Sequence, residues 1–422
     1  MNGKSYDIIV VGGGFAGTAA AICAARRGRK VLLIEKYNCL GGAPAYGLVN
    51  PFMPYWTTSE DGKERIDLSR GLFREILQRL EQAGGLHKED KCCFNEEVLK
   101  CVLLHMLEES GASVLFQAHV TGAEKENGRL TAVRVSGVSG DHLFSADYFI
   151  DATGDANLVF LAGFPYELGR KEDGFCQPMT LCFRLGNVQF QKNPYVFAEV
   201  QKLYKKYRAE GRIKNPREDV LLFHTVSKDV LHFNTTRVIR LDPTNVFDVT
   251  RAEIEAREQV FELYEFLREN FEEFKDCVLL STAMQIGVRE SRRIVGLHML
   301  TEEEIVACTR FEDSVAVCNY DIDIHDPDGS GTSHYFFPAG KYYTIPYRCL
   351  IPQGAHNLLA AGRCVSATHE AQASLRIMPT CCNLGEAAGI AAAIAAESKK
   401  AVNEIDVKAL QDALVQSGAK IF

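Results

Sequence analysis

The feature that most constrains this chain is a glycine motif near its start. A short apolar run at residues 7–11 leads into Gly12, Gly14 and Gly17, which form the pattern G-x-G-x-x-G. An Ala-rich helical run follows, and a second apolar run then ends on Glu35. Strand, glycine turn, helix and acidic residue are together the context that this motif requires. The sequence therefore predicts a βαβ unit that binds a dinucleotide.

Each part of this unit has a physical role. Gly12 lets the chain turn off the strand, Gly14 lets the backbone approach a pyrophosphate, and Gly17 lets the helix pack against the strand. The helix N-terminus offers free N–H groups and the positive end of a dipole to the phosphates. Glu35 can accept hydrogen bonds from the ribose hydroxyls, and its charge disfavours a 2′-phosphate.

Size and composition indicate a globular protein with two domains or a nested arrangement. The chain has 422 residues, of which 46% are hydrophobic and 24% are charged. A net charge of −8 argues against nucleic acid or an anionic membrane as a partner. No apolar run is long enough to span a bilayer and no signal peptide precedes the first strand, so we expect a cytoplasmic protein with reduced cysteines. The 14 cysteines include no C-x-x-C, and no metal site is predicted.

A second glycine turn follows the acidic residue. Gly41 and Gly42 come shortly after Glu35 and precede Ala43. At this place a glycine turn is suited to meet the pyrophosphate from the other side. The alternative interpretation is a flexible loop.

Three later segments continue this pattern. A strand within residues 146–155 ends in a glycine turn, a short apolar strand ends in Gly362-Arg363, and a helix rich in Gly and Ala is predicted over 380–396. Residues 364–374 are predicted to form a loop. Small residues on the helix would permit its backbone to approach a cofactor. For the strand at 146–155, an ordinary strand with a glycine turn is the alternative.

The middle of the chain carries no such motif. Asn95 is the predicted N-cap of an earlier helix that reaches residue 109. A long helix is predicted over 248–274, opened by a capping box at Thr250. Residues 320–333 are rich in Asp and Gly and are predicted to form a loop; the spacing of an EF-hand is not met.

The ordered set of motifs resembles the glutathione-reductase-type FAD-dependent oxidoreductases. Within them, the chain is most similar to the single-FAD bacterial branch related to fumarate reductase and succinate dehydrogenase flavoproteins. The segments that carry this similarity are IGVRESRRIVG at 286–296, DIDIHDPDG at 321–329 and the run at 361–393. The resemblance covers about residues 1–165 and 275–396.

The resemblance implies an α/β fold in which a discontinuous Rossmann-like FAD-binding domain holds an inserted α+β substrate domain. We expect the FAD-binding domain at 1–165 and 346–422 and the substrate domain at 166–345. FAD is the implied cofactor. Its implied contacts are Gly12, Gly14, Phe15, Ala16, Gly17, Glu35, Lys36, Gly41, Gly42, Ala43, Val120, Ala152, Gly154, Asp155, Gly362, Arg363, Thr380, Cys381, Cys382 and Asn383.

The chain departs from this family pattern in several places. Many relatives have Gly-Asp where this chain has Gly362-Arg363, and an arginine can reach a phosphate but cannot accept a ribitol hydroxyl proton. The chain lacks a second G-x-G-x-x-G and a C-x-x-x-x-C pair, which argues against an NAD(P)H-dependent disulfide reductase. It also lacks the histidine motif at which fumarate reductase relatives attach FAD. Cys381 and Cys382 are either small buried side chains or thiols activated by the helix N-terminus.

The candidate catalytic residues are arginines and histidines in the segments that carry the resemblance. Arg289, with Arg292, is suited to clamp a carboxylate or a phosphate in bidentate fashion. In a mechanism like that of an ene-reductase, an arginine would instead deliver a proton. His325 or His369 is a candidate base for oxidation of an alcohol or amine. The candidates are Arg289, His325, Arg348, His369 and Arg376.

The sequence thus predicts an enzyme, a FAD-dependent oxidoreductase that transfers a hydride between the flavin and a small polar organic substrate. One alternative is a flavin reductase like fumarate reductase, fed by a separate electron donor. Others are a non-catalytic or tRNA-modifying FAD protein and a Rossmann protein that binds NAD. A lone NAD site would not need the later glycine turns, and the acidic balance weighs against nucleic acid.

Overall fold

The computed structural model describes residues 5–329 and 331–422. The first four residues of the predicted FAD-binding domain, and Ser330 of the predicted acidic loop, lie outside the described residues.

The strands of the described chain are short, apart from three that form a meander. In chain order they are β1 (Ser5–Val11), β2 (Val31–Ile34), β3 (Trp56–Thr58), β4 (Arg65–Asp67), β5 (Ser113–Leu115), β6 (His119–Glu126), β7 (Arg129–Gly137), β8 (Gly140–Asp151), β9 (Tyr166–Leu168), β10 (Phe183–Gly186), β11 (Leu222–His224), β12 (Leu231–Phe233), β13 (Val278–Thr282), β14 (Arg292–Ile294), β15 (Ser314–Cys318), β16 (Ile322–His325), β17 (Thr332–Tyr335), β18 (Tyr343–Pro346) and β19 (Leu358–Ala360).

Helices alternate with these strands. They are α1 (Phe15–Arg26), α2 (Ala43–Tyr46), α3 (Leu72–Gln82), α4 (Glu96–Ser110), α5 (Asn157–Leu161), α6 (Val196–Ala209), α7 (Val246–Asn270), α8 (Glu302–Val306), α9 (His369–Leu375), α10 (Met378–Ser398) and α11 (Val407–Gln416). Short 3-10 helices lie at Phe190–Lys192, Glu272–Phe274, Tyr347–Leu350 and Val402–Glu404.

The largest sheet has seven strands in the order β5-β2-β1-β8-β7-β6, with β19 paired to β8. β5, β2, β1, β8 and β19 run parallel, whereas β6, β7 and the first half of β8 form an antiparallel meander. Ile8, Ile9 and Val10 are fully buried, so both faces of β1 are covered, which explains its continuous apolar run. The carboxyl ends of β1, β2, β8 and β19 therefore meet at one edge of the sheet.

β8 joins the early and late parts of the chain. Its second half pairs in parallel with β1 on one side and with β19 on the other. Asn357, directly before β19, fixes this junction. Its Oδ1 accepts from the Leu130 amide at 2.8 Å, and its Nδ2 donates to the carbonyls of Leu130 at 2.8 Å and Asp147 at 2.7 Å. The mixed α/β architecture predicted from the sequence is confirmed.

Helices α1 and α10 pack with their backbones in contact. A Cβ added at Gly385 would lie 2.0 Å from the carbonyl oxygen of Ala16, and one at Gly389 would lie 2.3 Å from that of Ala20. Both distances are too short for any real side chain, so the contact admits only glycine at these two positions. The small residues of the predicted helix over 380–396 thus serve to pack it against α1.

A second hydrophobic core is formed by residues between 179 and 286. It is centred on a four-stranded antiparallel sheet in the order β11-β12-β10-β13. α6 and α7 bury apolar residues in this core, among them Tyr204 and Leu263. This is an α+β unit in the middle of the chain, as the sequence predicts.

The proposed domain limits remain a prediction, and the packing suggests a smaller insertion. Ile305, Val315 and Ile345 belong to the same core as α1 and α10, although they lie in the expected substrate domain. They join it because α8, β15 and β18 return to the first core once the second is complete.

Local predictions met mixed outcomes. Asn95 caps α4 as predicted, because its side chain accepts from the amides of Glu97 at 2.9 Å and Val98 at 3.2 Å. The capping box at Thr250 was wrong: α7 begins one turn earlier, where the side chain of Asn245 caps it.

Two predicted loops contain regular structure. The described residues of 320–333 lie largely in the hairpin of β16 and β17, and α9 occupies much of the stretch 364–374. Asp- and Gly-rich composition and small polar residues signalled loops, but β16 and β17 pair with each other and α9 packs against β16.

Among the described residues, no single helix is long and apolar enough to cross a membrane. α9 and α10, bent by 94° at the break between them, meet that test of length and composition only as a pair.

Glu386 of α10 is a carboxyl group buried where three helices meet. Its Oε2 accepts from the amide of Leu72 at 3.1 Å. The hydroxyl of Ser417 lies 2.6 Å from its Oε1 and 2.8 Å from the carbonyl of Leu414, but has only one proton. A protonated Glu386 that donates to Ser417 satisfies both contacts. Burial correspondingly raises the pKa of Glu386 to about 7.

We expect Glu386 to make stability fall as pH rises from 4.5, its ordinary pKa, to about 7. In this window the folded state keeps a proton that the unfolded state has lost, which amounts to about 3 kcal/mol of unfolding free energy. Glu386→Gln preserves the shape but cannot ionise, so it should remove this slope in denaturant titrations at a series of pH values. Glu397→Gln, at the exposed end of α10, is the control. An unchanged slope in Glu386→Gln would contradict the prediction.

Candidate functional site

A cleft of about 910 Å³ opens at the carboxyl ends of β1, β2 and β8. The carboxyl edge of a parallel sheet is where small-molecule sites form. Of the residues predicted to contact the cofactor, the following line the cleft: Gly12, Gly14, Phe15, Ala16, Glu35, Lys36, Gly41, Gly42, Ala43, Val120, Ala152, Gly154, Gly362, Arg363 and Cys381.

Five residues predicted as contacts do not line the cleft. Gly17 serves packing instead, because a Cβ there would lie 1.7 Å from the carbonyl oxygen of Gly12. Asp155 pairs with Arg363, behind the wall of the cleft. The other three are buried residues of α10: Thr380, Cys382 and Asn383.

The first glycine turn forms the floor of the cleft. Gly12 has a φ of +98°, and a Cβ at this position would lie 2.5 Å from the carbonyl oxygen of Ala152. Gly14 is different. It has an ordinary φ of −68°, and the nearest heavy atom to an added Cβ, Gly42 Cα, is 3.8 Å away. The fold therefore does not require glycine at position 14, whereas a ligand that approaches the backbone there would.

The second glycine turn faces the first. The amide of Gly41 donates to the carbonyl of Gly13 at 2.8 Å. Gly42 has a φ of +67°, and a Cβ there would lie 2.7 Å from Gly14 Cα. The two turns thus present backbone from both sides to the same part of the cleft, which is the arrangement that a pyrophosphate needs.

Glu35 holds the end of β2 against the first turn. Its carboxylate accepts from the amide of Gly13 and, at 2.8 Å, from that of Tyr37. It is only 2% exposed, and burial raises its pKa. Both groups that donate to the carboxylate are backbone amides. The path of the backbone therefore fixes the position of the Glu35 side chain.

The opposite wall of the cleft depends on two aspartates. Asp151 accepts from the amide and hydroxyl of Thr153 at 3.0 and 2.7 Å, which shapes the turn after β8. Asp155 pairs with Arg363 and accepts from Ser291 at 2.7 Å. Although burial would raise it, Arg363 and then Lys36 hold the pKa of Asp155 below its usual value.

Two guanidinium groups offer unsatisfied donors at this wall. The Nε atoms of Arg363 and Arg376 are buried and have no hydrogen-bond partner among the described residues. Both residues line the cleft. A buried N–H without an acceptor is unfavourable, so these groups fit a ligand rich in acceptor oxygens and nitrogens, as a flavin dinucleotide is.

Cys381 lies near the N-terminus of α10, at the cleft. Its thiol contacts the carbonyl oxygen of Arg376 at 3.4 Å. A helix N-terminus alone would lower its pKa, but burial raises the pKa of Cys381 to about 12. The structure therefore favours the interpretation of Cys381 as a small buried side chain over that of a reactive thiol.

A second cavity, of about 1470 Å³, adjoins the cleft and is here called the adjoining cavity. It lies between the sheet of the second core and the β16–β17 hairpin, and both contribute to its walls. The cleft and the adjoining cavity share four residues, Ala43, Arg363, Arg376 and Met378. A molecule in the adjoining cavity would therefore lie beside a molecule in the cleft.

Three of the predicted catalytic residues line the adjoining cavity: Arg289, His325 and Arg376. Arg289 Nη1 donates to the carbonyl of Pro178 at 2.7 Å and to the hydroxyl of Thr180 at 2.6 Å, and its Nη2 donates to Asn234 Oδ1 at 3.3 Å. Burial, with Arg376 and Arg217 nearby, lowers the pKa of Arg289 to about 9.

Asp323 connects His325 and Arg376. It accepts from Arg376 at 3.3 Å and from the hydroxyl of Tyr320 at 3.1 Å, and it lies 3.5 Å from Nε2 of His325. Nδ1 of His325 lies 3.0 Å from Nη2 of Arg237 and must accept there, since a guanidinium can only donate. Burial and then Arg289 lower the pKa of His325, so the ring is neutral at neutral pH.

Arg348 and His369 lie outside both spaces. Arg348 pairs with Asp313 at 2.9 Å and is half-exposed. His369 is the first residue of α9 and its Nδ1 lies 2.8 Å from Glu290, a fully buried carboxylate that also pairs with Arg293. Glu290 draws His369 into this internal network, away from the cleft.

Sequence reasoning missed other residues of both spaces. Tyr46, His119, Thr153 and Asn157 also line the cleft, and Arg217 and Asn234 line the adjoining cavity. The first four neighbour residues that were predicted, so proximity in sequence was the available signal. Arg217 and Asn234 come from the second core, where no motif marked them. The described residues contain no group of three or more His, Cys, Asp or Glu placed to hold a metal ion.

Comparison with known proteins identifies the family. The family model described as FAD dependent oxidoreductase matches residues 7–414. FAD is the cofactor of this family, and the facing glycine turns, the acidic end of β2 and the orphaned donors of the cleft fit it. The narrower resemblance to the fumarate reductase branch is not established by this match and stays a prediction.

Individual relatives match smaller parts. Digeranylgeranylglycerophospholipid reductase of Methanoculleus marisnigri is 30% identical over 170 residues, 38% of this chain and 42% of that protein. Vinyl phenol reductase of Lactiplantibacillus plantarum is 60% identical over 42 residues, 10% of this chain and 8% of that protein. A solved structure of a geranylgeranyl bacteriochlorophyll reductase-like protein from Thermoplasma acidophilum has a TM-score of 0.48 and 15% identity, over 99% of this chain and 84% of that one.

Substitution of Gly14 and of Gly17 should have different effects, the first on FAD binding and the second on stability. Gly14→Ala should leave the fold intact but weaken FAD binding by a factor of about ten or more, because the new methyl group occupies the approach of the pyrophosphate to the backbone. Gly17→Ala should instead destabilise the protein, because its Cβ meets the carbonyl oxygen of Gly12. Thermal unfolding of the apoprotein and fluorescence titration with FAD measure the two effects. Equal loss of stability in both variants would show that Gly14 is required by the fold.

Proposed function

The chain belongs to the FAD-dependent oxidoreductase family, and from this we propose that it transfers a hydride between the flavin and a small polar organic substrate held in the adjoining cavity. The observation that carries the proposal is that the cleft and the adjoining cavity share Ala43, Arg363, Arg376 and Met378. FAD supplies the two-electron chemistry when it is bound. The protein must therefore bind and orient the cofactor and the substrate, and it must hold or move protons.

Arg376 is the residue best placed to act at the boundary. It lines both spaces, and its Nη2 is held by the carbonyl and carboxylate oxygens of Asp323 at 3.2 and 3.3 Å. Its Nε–H stays free to donate to a ligand. The N-terminus of α10, which begins at Met378, lies beside it and favours negative charge at this boundary.

His325 and Asp323 are proposed to set the protonation state of the cavity. The lowered pKa of His325 keeps it neutral, and Asp323 remains ionised because His325 and Arg376 outweigh the effect of its burial on its pKa. Because both pKa values are lowered, neither group holds an added proton tightly near neutral pH. Two of the relatives, from Methanoculleus marisnigri and Lactiplantibacillus plantarum, are named as reductases, which also supports redox chemistry on an organic molecule, although they match only parts of this chain.

The first test is the visible absorption spectrum of the purified protein. Flavin bands that pass into the supernatant after denaturing precipitation are expected, because the thiol of Cys381 is un-ionised and therefore a poor candidate for a covalent link. Hydroxy acids, amines, sugars and enoates would then be screened for bleaching or reoxidation of these bands. A protein that stays colourless after incubation with FAD would overturn the proposal.

Two arginines that look alike in the sequence should behave differently. Arg376→Met should slow reduction or reoxidation of the flavin by substrate at least about a hundredfold while FAD stays bound, because it removes a charged donor at the reacting boundary. Arg348→Met should leave the rate unchanged, since Arg348 pairs with Asp313 outside both spaces. Stopped-flow absorbance of the flavin measures both rates. Similar rates for the two variants would contradict the assignment of Arg376.

A further inference from the structure

The adjoining cavity contains a charge without a partner. Four arginines in or beside it are each paired with one carboxylate: Arg217 with Asp219, Arg237 with Glu218, Arg363 with Asp155, and Arg376 with Asp323. Arg289 is the exception. Its three hydrogen-bond acceptors are all neutral, and none of the described carboxylates forms an ion pair with it.

An unpaired guanidinium in such a place is costly. Arg289 is withdrawn from bulk water and lies near two other arginines, Arg376 and Arg217, which add repulsion. Three of its five N–H groups are used by the protein, so two remain for a ligand. Nη1 of Arg217 is a further buried donor without a partner in the described chain.

Apolar side chains also line the cavity, among them Leu221, Phe223, Val49 and Met53. A ligand that fills the space would thus meet both charged donors and hydrocarbon. A single unpaired positive charge calls for one negative charge, because a dianion would leave a second charge buried without a partner.

We propose that the substrate is an organic monocarboxylate with an apolar body, and that Arg289 is the residue that binds its carboxylate. This inference rests on the proposed function, since it names the substrate class of the same site. Arg289 engages the carboxylate with its two free N–H groups, Nη1 of Arg217 adds a further donor, and the apolar body lies against Leu221 and Phe223. Binding removes the uncompensated charge and satisfies the buried donors together.

The test compares probes that differ in charge alone. Binding of 3-phenylpropanoate and 3-phenylpropanamide to the FAD-loaded protein is measured by calorimetry and by perturbation of the flavin spectrum. The acid should bind at least about tenfold more tightly than the amide, which is the usual size of a charge-assisted contact. Acetate should bind more weakly than 3-phenylpropanoate because it lacks the apolar body. Phenyl phosphate, largely a dianion at pH 7.5, should also bind more weakly.

Variants assign the effect to Arg289. Arg289→Gln should abolish the preference for the acid over the amide while leaving binding of the amide within about twofold, since only the charged contact is lost. Phe223→Ala should weaken the binding of 3-phenylpropanoate but not the binding of acetate. Arg268→Gln, an exposed arginine on α7, is the matched control and should bind all probes like the wild type.

The outcomes separate this inference from the function on which it rests. If the wild-type protein holds FAD but binds acid and amide equally, or binds phenyl phosphate best, the assignment of a monocarboxylate substrate is wrong. The oxidoreductase proposal then still stands. If the preference for the acid survives in Arg289→Gln, the role of Arg289 is wrong. If the protein holds no FAD, the proposed function itself fails. The wild-type comparison decides the substrate class even if a variant does not fold.

Discussion

The backbone contact between α1 and α10 is the constraint on which the rest of the structure depends. α1 carries the first glycine turn of the cleft at its N-terminus, and α10 carries Met378 and Cys381 at its own. Because Gly385 and Gly389 let the two helices touch, both N-termini are held at the same edge of the sheet. A wider spacing of the two helices would separate the early and late walls of the cleft.

The sequence could predict most of the cofactor cleft because its residues act through the backbone of one local unit. Gly12 and Glu35 occupy a strand–turn–helix–strand segment, and their positions follow from that segment alone. The side of the cleft on α10 was harder to predict. Thr380, Cys382 and Asn383 belong to the right helix, but only the helical phase, which the packing on α1 sets, decides which side chains reach the cleft.

Catalytic side chains were less predictable because distant contacts decide their direction. Arg348 follows β18 and Arg376 follows α9, and the two are equally polar in sequence. An ion pair with Asp313 nevertheless turns Arg348 away, while Asp323 holds Arg376 at the boundary of the two spaces. Arg217 follows a charged, helical stretch that looks fully solvated in the sequence. Arg217 is nonetheless buried, and the nearby sheet includes the pairing of β10 with β12, two strands that lie far apart in sequence.

The placement of β19 and α10 has a consequence for the order in which the molecule can form. β19 pairs with the strand that also pairs with β1, and α10 covers α1, so the sheet that begins with the first described residues is finished by some of the last. During synthesis, α1 emerges long before its partner and must wait with an apolar face unpaired. The buried residues of the second core all fall between residues 179 and 286, so most of this core can close in that interval. The middle of the nascent chain can thus fold before the early and late parts join, and the nucleotide cleft is among the last parts to be completed.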